Sequence, residues 1–314
     1  MTREHDQQQL AISMHRRSSL GPADQVIIAY LTVIAALAAV FGQRVRYWWL
    51  IGATHAAVIA VILLWRAPRK TAGDAGGFRR AVRAWYPLVL VPATYKELSY
   101  LIPLVHPRDF DWELAGIDRL MFGVDPTVWL ERVVTPVLTE LFQLSYVTYY
   151  FLPLALGLVM WRKGWFERFH FLLFVIVLGF YLSYLGYIAV PAIGPRFILA
   201  DRQSIALRGV LFFDSIRSNL DRAEGITRDC FPSGHVELTL LVLYYARRFH
   251  RRSFWWMFPP GSALIVSTVY LRYHYVIDVV AGTLLAVVVI LVAGPLYRAL
   301  GGQPVRIDSG HSAR

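Results

Sequence analysis

The sequence is poor in charged residues and nearly free of cysteine. Only 17% of its 314 residues are charged, whereas a soluble domain has about 25%. With 56% hydrophobic residues, the composition also argues against a disordered chain. Cys230 is the single cysteine, which excludes a disulfide scaffold. An ordinary soluble enzyme is therefore disfavoured.

Lysine is also scarce, because only Lys70, Lys96 and Lys163 accompany the arginines among the 32 basic residues. The formal net charge is +11. A basic excess does not require nucleic acid, since arginine and lysine collect on the cytoplasmic loops of membrane proteins. We expect no nucleic-acid partner.

Long apolar stretches dominate the rest of the chain. A membrane-spanning helix needs roughly 20 mostly apolar residues, and the sequence predicts an all-α polytopic membrane helix bundle. The N-terminal segment is too polar for a secretory signal, so the first span is expected to be retained. The predicted spans are 24–41, 47–65, 83–105, 137–160, 169–190, 235–247, 254–273 and 277–297.

The distribution of basic residues predicts the orientation. If the N-terminus is cytoplasmic, the inner segments hold 19 basic residues and the outer segments hold 12. This bias predicts that both termini are cytoplasmic. It also places the loop 191–234 and the turn 272–276 on the same outer face. The segment 106–136 mixes acidic and aromatic residues, which is typical of an interfacial helix at the headgroup level.

The first stretch that indicates chemistry is Cys230-Phe231-Pro232-Ser233-Gly234-His235, which opens the sixth predicted span. Pro and Ser are favoured where helices begin, and Gly allows a ligand to approach the backbone. The free N–H groups of a helix start suit a phosphate, which His235 would adjoin. The alternative is a capped membrane helix with an incidental histidine.

The second stretch leads into the last span and contains Arg272, His274 and Asp278. His274 and Asp278 are four residues apart, so they share a helix face. An aspartate that accepts from one ring nitrogen leaves the other nitrogen aimed outward, as in the nucleophile and orienting pair of a catalytic triad. A hydrogen-bonded pair that stabilises the helix end is the alternative.

Together the two stretches resemble the second and third signature motifs of the type 2 phosphatidic acid phosphatase superfamily. Pro232-Ser233-Gly234-His235 matches the second motif, and Ser267, His274 and Asp278 match the third in spacing. Thr268 stands at the arginine position of the third motif. The first motif is echoed only by Gly194-Pro195-Arg196, with Ala189 and Phe197 where the family has Lys and Pro.

In these departures the sequence resembles the inositol phosphorylceramide synthase branch. The stretch Leu141–Tyr150 and the loop from Pro191 to Arg196 also resemble that branch. The resemblance covers roughly 83–297 and implies a six-helix catalytic core. The implied domains are a flexible cytoplasmic N-terminus (1–23), two extra spans with a basic loop (24–82), the catalytic membrane domain (83–297) and a cytoplasmic tail (298–314).

The resemblance implies that His274 attacks phosphorus to form a phosphohistidine. Asp278 would orient His274, and His235 would protonate the leaving oxygen and then deprotonate the acceptor. Arg196, Ser233, Gly234 and Arg272 would hold the phosphate oxygens. Other loop arginines that could replace the missing cationic clamps are Arg202, Arg208, Arg217, Arg222 and Arg228.

The expected partners are a lipid phosphate and a hydroxyl acceptor or water, at the outer face of a bacterial inner or plasma membrane. Transfer to a lipid or polyol hydroxyl is favoured slightly over hydrolysis, because the phosphatase motifs lack their Lys and Arg. No cofactor, metal ion or protein partner is expected. A transporter would need polar residues at mid-depth in several spans, and a catalytically dead scaffold would not retain all three triad residues.

Three further features have structural interpretations. Lys96-Glu97 is interpreted as an ion pair or, alternatively, as the wall of a polar cavity. The aromatic residues of the fourth span, among them Tyr146 and Tyr149, are interpreted as helix packing or as a groove for lipid. Cys230 is interpreted as incidental.

Overall fold

A computed structural model of the chain describes residues 20–65, 75–224 and 228–305. These ranges contain α-helices and two short 3₁₀ helices (Leu130–Val133 and Ala200–Arg202) but no β-strand. The α-helices are α1 (Pro22–Val40), α2 (Trp48–Trp65), α3 (Ala75–Trp85), α4 (Pro87–Val105), α5 (Asp111–Phe122), α6 (Pro126–Trp129), α7 (Pro136–Arg162), α8 (Phe166–Ala189), α9 (Pro195–Ile198), α10 (Phe213–Glu224), α11 (Gly234–Phe249), α12 (Arg251–Tyr270) and α13 (Val276–Ala299).

Each of the eight predicted spans coincides with a helix, which confirms the all-α fold class. Among the described residues, six helical segments are long and apolar enough to cross a membrane. The other two are α11, which has only 16 residues, and α12, which begins with Arg251 and Arg252. The six segments are Pro22–Val40, Trp48–Trp65, Gly77–Val105, Pro136–Arg162, Phe166–Ala189 and Val276–Ala299.

Helix starts in this bundle follow local sequence signals. Pro occupies the first turn of α1 and of α7, where its missing N–H costs nothing. The Thr135 hydroxyl accepts the Leu138 amide at the start of α7. Ser233 caps α11 in the same way, with its hydroxyl 3.4 Å from the Val236 amide nitrogen.

Helix α8 forms the centre of the bundle. It contacts α1, α4, α7, α11 and α13. Within its most apolar stretch of 18 residues, 72% of the residues are buried. Helix α11 packs between α7, α8, α12 and α13. The N-terminal end of α11 is therefore fixed on several sides.

The two extra N-terminal spans are joined to the bundle by a buried polar contact. Helix α1 packs on α8, and α2 packs on α1. His55 of α2 lies 2.9 Å from the Glu97 carboxylate of α4 through Nε2, and 3.0 Å from the Leu31 carbonyl through Nδ1. Glu97 thus has an ionisable partner on another helix. The interpretation of Lys96-Glu97 as an ion pair did not include this partner, His55.

A glycine permits a close helix contact between the two motifs. A Cβ at Gly282 of α13 would lie 2.4 Å from the Ser233 carbonyl oxygen. Any side chain at this position would collide with backbone, so the glycine allows α13 to approach the start of α11.

Parts of the predicted domain division lie outside the described residues. These are 1–19 of the N-terminus, 66–74 of the basic loop, 225–227 of the catalytic membrane domain and 306–314 of the tail. The division itself and the cytoplasmic placement of the termini stay predictions.

Candidate active site

The two motifs meet through their backbones. The Ser233 amide donates to the Asp278 carbonyl at 3.1 Å, which joins the start of α11 to the first turn of α13. The Thr268 carbonyl accepts the amides of Tyr273 and His274, each at 3.0 Å, and so shapes the turn between α12 and α13. The predicted residues His235, His274 and Asp278 are therefore brought together, and all three are buried.

The His274 ring is held by two groups on its Nδ1 side. Nδ1 lies 2.8 Å from the Cys230 carbonyl and 3.5 Å from Asp278 Oδ2. Because a carbonyl can only accept, the contact at 2.8 Å places the hydrogen on Nδ1. The Cys230 carbonyl is thus the nearer acceptor, and the Nε2 lone pair is directed away from both groups.

Asp278 is fully buried at the base of the site. Its Oδ2 accepts the Tyr275 amide at 2.7 Å and the Cys230 thiol at 2.9 Å. Burial raises the pKa of the Cys230 thiol, and the charge of Asp278 raises it further, so the thiol is the hydrogen-bond donor. Within the described part of the chain, Asp278 Oδ1 has no hydrogen-bond partner. Cys230, interpreted from the sequence as incidental, is part of the site.

His235 faces His274 and is enclosed by aromatic rings. Its Nδ1 lies 3.5 Å from His274 Nε2. The ring of Tyr146 stacks on it at a centroid distance of 4.5 Å, and that of Tyr149 lies at 4.2 Å. Both tyrosines belong to α7, so this aromatic helix orients the second histidine as well as packing the bundle.

Arg196 lies beside the turn that carries His274. Its amide donates to the Arg272 carbonyl at 3.0 Å, and its guanidinium lies over the ring of Tyr273, 5.4 Å from the centroid. Tyr273 in turn stacks on Tyr146 at 4.4 Å. The guanidinium forms an ion pair of 2.9 Å with Asp221 of α10. A chain of contacts therefore connects Arg196 to the rings around His235.

Arg272 makes a different set of contacts. Its backbone φ is +67°, a conformation that non-glycine residues adopt rarely. Its buried guanidinium binds the Glu131 carboxylate at 2.8 Å and the Ile205 carbonyl at 2.7 Å. Burial opposes ionisation of Glu131, but hydrogen bonds from Ser204 and the Ile205 amide, with Arg272, lower its pKa. Arg272 therefore ties the turn to Ile205 and Glu131, and its predicted contact with phosphate stays a prediction.

Among the other loop arginines, Arg217 is close enough to Arg196 for the charge of Arg196 to lower its pKa. Burial lowers the pKa of Arg217, and the positive charge of Arg196 lowers it further, whereas Tyr273 opposes the shift. Two guanidinium groups close enough to repel each other would favour an anion between them. Of the rest, Arg202 pairs with Asp125, Arg228 with Asp109 and Arg222 with Asn219, and Arg208 is exposed.

Ser233 and Gly234 form the buried N-terminus of α11. A Cβ at Gly234 would lie 2.3 Å from the Tyr187 hydroxyl oxygen, so the position has no space for a side chain. The positive end of the helix dipole lies here, next to His235. The predicted phosphate contacts of these two residues are not tested by the structure.

Two buried aspartates of α5, which were not predicted as site residues, fix the backbone around the site. Asp111 accepts the amides of Ile193 and Gly194 at 2.9 and 2.7 Å. Asp118 accepts the amides of Val276 and Ile277, the first residues of α13, at 2.8 and 2.9 Å.

These aspartates are seven residues apart on one buried face of α5, whereas Leu120 and Met121 are exposed. Burial raises the pKa of both carboxyls, and the amide hydrogen bonds oppose that shift. The available signal in the sequence was the seven-residue spacing of the two aspartates, which is about two helical turns. The aspartates mark the buried face of a helix whose apolar side is exposed, as expected for an interfacial helix.

Asp229 is another acidic group that was not predicted. Its carboxylate accepts the Tyr95 hydroxyl of α4 at 2.5 Å. Burial raises the pKa of Asp229, while the Tyr95 hydrogen bond and the nearby His274 oppose the shift. Its position directly before Cys230 was the only indication in the sequence.

Comparison with known proteins agrees with this geometry. A family model described as PAP2 superfamily matches residues 112–292. A PA-phosphatase related-family protein of Dictyostelium discoideum is 24% identical over 176 residues, which cover 50% of this chain and 32% of that protein. The match therefore spans about a third of the relative. No solved structure matches the chain significantly.

Proposed function

This chain belongs to the PAP2 superfamily, and on that premise we propose that it is an integral membrane enzyme that transfers a phosphoryl group from a lipid phosphate through His274. The observation that supports this proposal most directly is the pair of facing imidazoles, with His274 Nε2 3.5 Å from His235 Nδ1. His274 carries its hydrogen on Nδ1, which leaves Nε2 free to act as the nucleophile.

In the proposed first step, His274 Nε2 attacks phosphorus as the bond from phosphorus to the leaving oxygen breaks. His235 donates a proton to that oxygen. The ring of His274 becomes positively charged, and the Cys230 carbonyl and the Asp278 carboxylate stabilise that charge. In the second step His235 accepts a proton from the acceptor hydroxyl or water, whose oxygen attacks phosphorus and releases His274.

The phosphate oxygens would be held by cationic and backbone donors. Arg196 supplies a guanidinium next to the His274 turn, and Arg217 is the second nearby cation. The Gly234 amide at the start of α11 adds the positive end of a helix dipole, whereas the Ser233 amide is engaged by the Asp278 carbonyl. Charge stabilisation of this kind dominates phosphoryl transfer.

Two acceptors compete within this mechanism. The departures from the phosphatase motifs support transfer to a lipid or polyol hydroxyl, as in the inositol phosphorylceramide synthase branch. At one of them, the neutral Thr268 stands where the family has arginine, and its hydroxyl donates to the Ile265 carbonyl. This position therefore supplies no cation. At another, Phe197 lies under the Arg196 guanidinium, 4.5 Å from its ring centroid. The name of the Dictyostelium relative supports hydrolysis as the second candidate.

The experiment uses purified protein in mixed micelles, with His274→Ala as the control. Radiolabelled phosphatidic acid or phosphatidylinositol is supplied with and without ceramide, diacylglycerol or inositol. Label in a new lipid or polyol only when acceptor is present identifies a transferase, whereas free phosphate unaffected by acceptor identifies a phosphatase. Turnover that persists in His274→Ala contradicts the mechanism.

The location of the reaction is also part of the proposal. The loop 191–234 and the turn that carries His274 would lie at the outer face of a bacterial inner or plasma membrane, and both termini would be cytoplasmic. The basic-residue distribution supports this orientation. The domain 83–297 would carry the reaction, with α1 and α2 as additional spans.

A further inference from the structure

Cys230, His274 and Asp278 form a compact group of potential metal ligands. Their ligand atoms lie within 4.8 Å of one another, and all three residues are buried. Cys230 Sγ is 3.6 Å from His274 Nδ1, and Nδ1 is 3.5 Å from Asp278 Oδ2. The third separation, from Sγ to Oδ2, is 2.9 Å.

These separations are close to those around tetrahedral zinc. With bonds of about 2.3 Å to sulfur, about 2.05 Å to nitrogen and about 2.0 Å to oxygen, a tetrahedron places sulfur and nitrogen about 3.5 Å apart. Nitrogen and oxygen are then about 3.3 Å apart. For a metal to bind, the contact between thiol and carboxylate has to lengthen, and the hydrogen bond from His274 Nδ1 to the Cys230 carbonyl has to open.

A second observation indicates that the site can accept a ligand. Asp278 is fully buried, yet its Oδ1 has no hydrogen-bond partner within the described ranges. An unpaired carboxylate oxygen in a buried site is costly. A cation bound through Oδ2 would stabilise the charge of this carboxylate, and Oδ2 can keep its hydrogen bond from the Tyr275 amide.

We propose that Cys230, His274 and Asp278 form an inhibitory site for Zn²⁺ or a similar borderline-soft divalent cation. A thiolate, an imidazole and a carboxylate are the donors that zinc prefers, whereas Mg²⁺ prefers oxygen ligands and retains water. The Cys230 thiol releases its proton to water as the bond from sulfur to the metal forms. No oxidation or reduction takes place.

The inhibition follows from the geometry of the His274 ring and rests on the proposed function. Zinc on Nδ1 displaces the hydrogen from that atom. A neutral imidazole then carries its hydrogen on Nε2, where the lone pair for attack on phosphorus had been. The metal therefore blocks the nucleophile from the side opposite His235, without occupying the space between the two histidines.

The first experiment measures binding without any assay of lipid turnover. Purified protein is titrated with Co²⁺, and absorption from thiolate-to-cobalt charge transfer is recorded, followed by competition with Zn²⁺ and with Mg²⁺. Because Cys230 is the single cysteine, a thiolate band reports this site. We expect the band in wild type and in the control His106→Ala, its loss with Zn²⁺ but not Mg²⁺, and no band in Cys230→Ser.

Zinc affinity should fall in Cys230→Ser by at least about 100-fold. Loss of a group that only hydrogen-bonds to a metal ligand already lowers metal affinity by up to about 100-fold, and Cys230 is itself a proposed ligand. A second measurement needs no variant. X-ray absorption of zinc-loaded wild type should show one sulfur at about 2.3 Å together with nitrogen and oxygen ligands. Absence of sulfur from the zinc shell, or of the thiolate band, overturns the proposal.

Lipid turnover distinguishes this proposal from the proposed function. Zinc should inhibit turnover over the concentration range in which it displaces cobalt. A thiolate band in a protein with no turnover on any lipid phosphate leaves the metal site standing and contradicts the proposed function. His274-dependent turnover that is insensitive to zinc, with no thiolate band, contradicts the metal site and leaves the proposed function standing.

Discussion

Nε2 of His274 lies 3.5 Å from Nδ1 of His235, while Nδ1 of His274 is held by the Cys230 carbonyl at 2.8 Å. One ring is therefore fixed on the side away from the other. Aromatic rings fix His235 in its turn. The two histidines thus face each other, as the proposed nucleophile and the proposed acid would.

Removal of either histidine should abolish turnover. His274→Ala removes the proposed nucleophile and His235→Ala the proposed acid, so we expect each to lower kcat by at least about 10³-fold. Phosphate release or transfer from labelled lipid measures the effect, and His106→Ala is the control histidine. Size-exclusion chromatography of each variant establishes that it folds. Full activity in either alanine variant would contradict the assignment.

Arg196 and Asp221 should have opposite effects on substrate binding. Arg196→Ala removes a cation from the proposed phosphate site, and a charged hydrogen bond of about 1.5–3 kcal/mol corresponds to a rise in KM of roughly 10- to 100-fold. Asp221→Asn frees Arg196 from an exposed ion pair of about 0.2–1 kcal/mol, so KM should fall by roughly 1.5- to 5-fold. Arg222→Ala on the same helix is the control. Unchanged KM in both variants would remove Arg196 from the phosphate site.

Asp118 should act as a positioning residue. Asp118→Ala leaves two amides at the start of α13 without their acceptor, and each such loss costs about 1–3 kcal/mol. We expect a lower thermal midpoint and a lower kcat with little change in KM, because the substrate contacts remain. Asp118→Asn, which retains one acceptor, should recover part of kcat. The matched control is Glu113→Ala on the exposed face of α5; an equal loss there would indicate a general effect on the helix.

Asp229 should make stability depend on pH. Burial raises its pKa in the folded protein, so the folded state binds the proton more tightly than the unfolded state. The contribution to stability is full below the unfolded pKa of about 3.9 and is lost as pH rises through the raised folded value. Asp229→Asn, which resembles the protonated acid, should therefore melt higher than wild type at neutral pH.

Thermal unfolding in detergent across this pH window is the measurement for Asp229. The difference between Asp229→Asn and wild type should shrink as the pH is lowered toward the unfolded pKa. Asp201→Asn, at an exposed position, is the control. A difference that stays constant with pH would show that the carboxyl does not titrate in this way.

The helices and the pairing of the two motifs could be predicted because their signals are local. Runs of about 20 apolar residues determine the spans, and Pro, Ser and Thr mark their starts. His274 and Asp278 are one helical turn apart, so their proximity follows from spacing. The span α11 is only 16 residues long, and its burial between other helices has no local signature.

The groups that hold the site could not be predicted because they come from distant parts of the chain. Asp118 caps α13 from 158 residues away, and Glu131 reaches Arg272 across 141 residues. Such contacts leave no periodic pattern. The sequence shows Arg272 as a charge two residues before His274, and only the structure shows which carboxylate it binds. Every residue has a backbone carbonyl, so the sequence could not single out that of Cys230 as the acceptor for His274.

The hydrogen bond from the Ser233 amide to the Asp278 carbonyl joins the two halves of the site through atoms that every residue possesses. Side-chain substitution at either residue leaves that link in place. A side chain at Gly282, which lies against the same Ser233 carbonyl, would instead push the halves apart. Substitutions of the side chains that line the site therefore leave the spacing of the two histidines unchanged. Substrate specificity can change in this way while the spacing that the proposed reaction needs is kept.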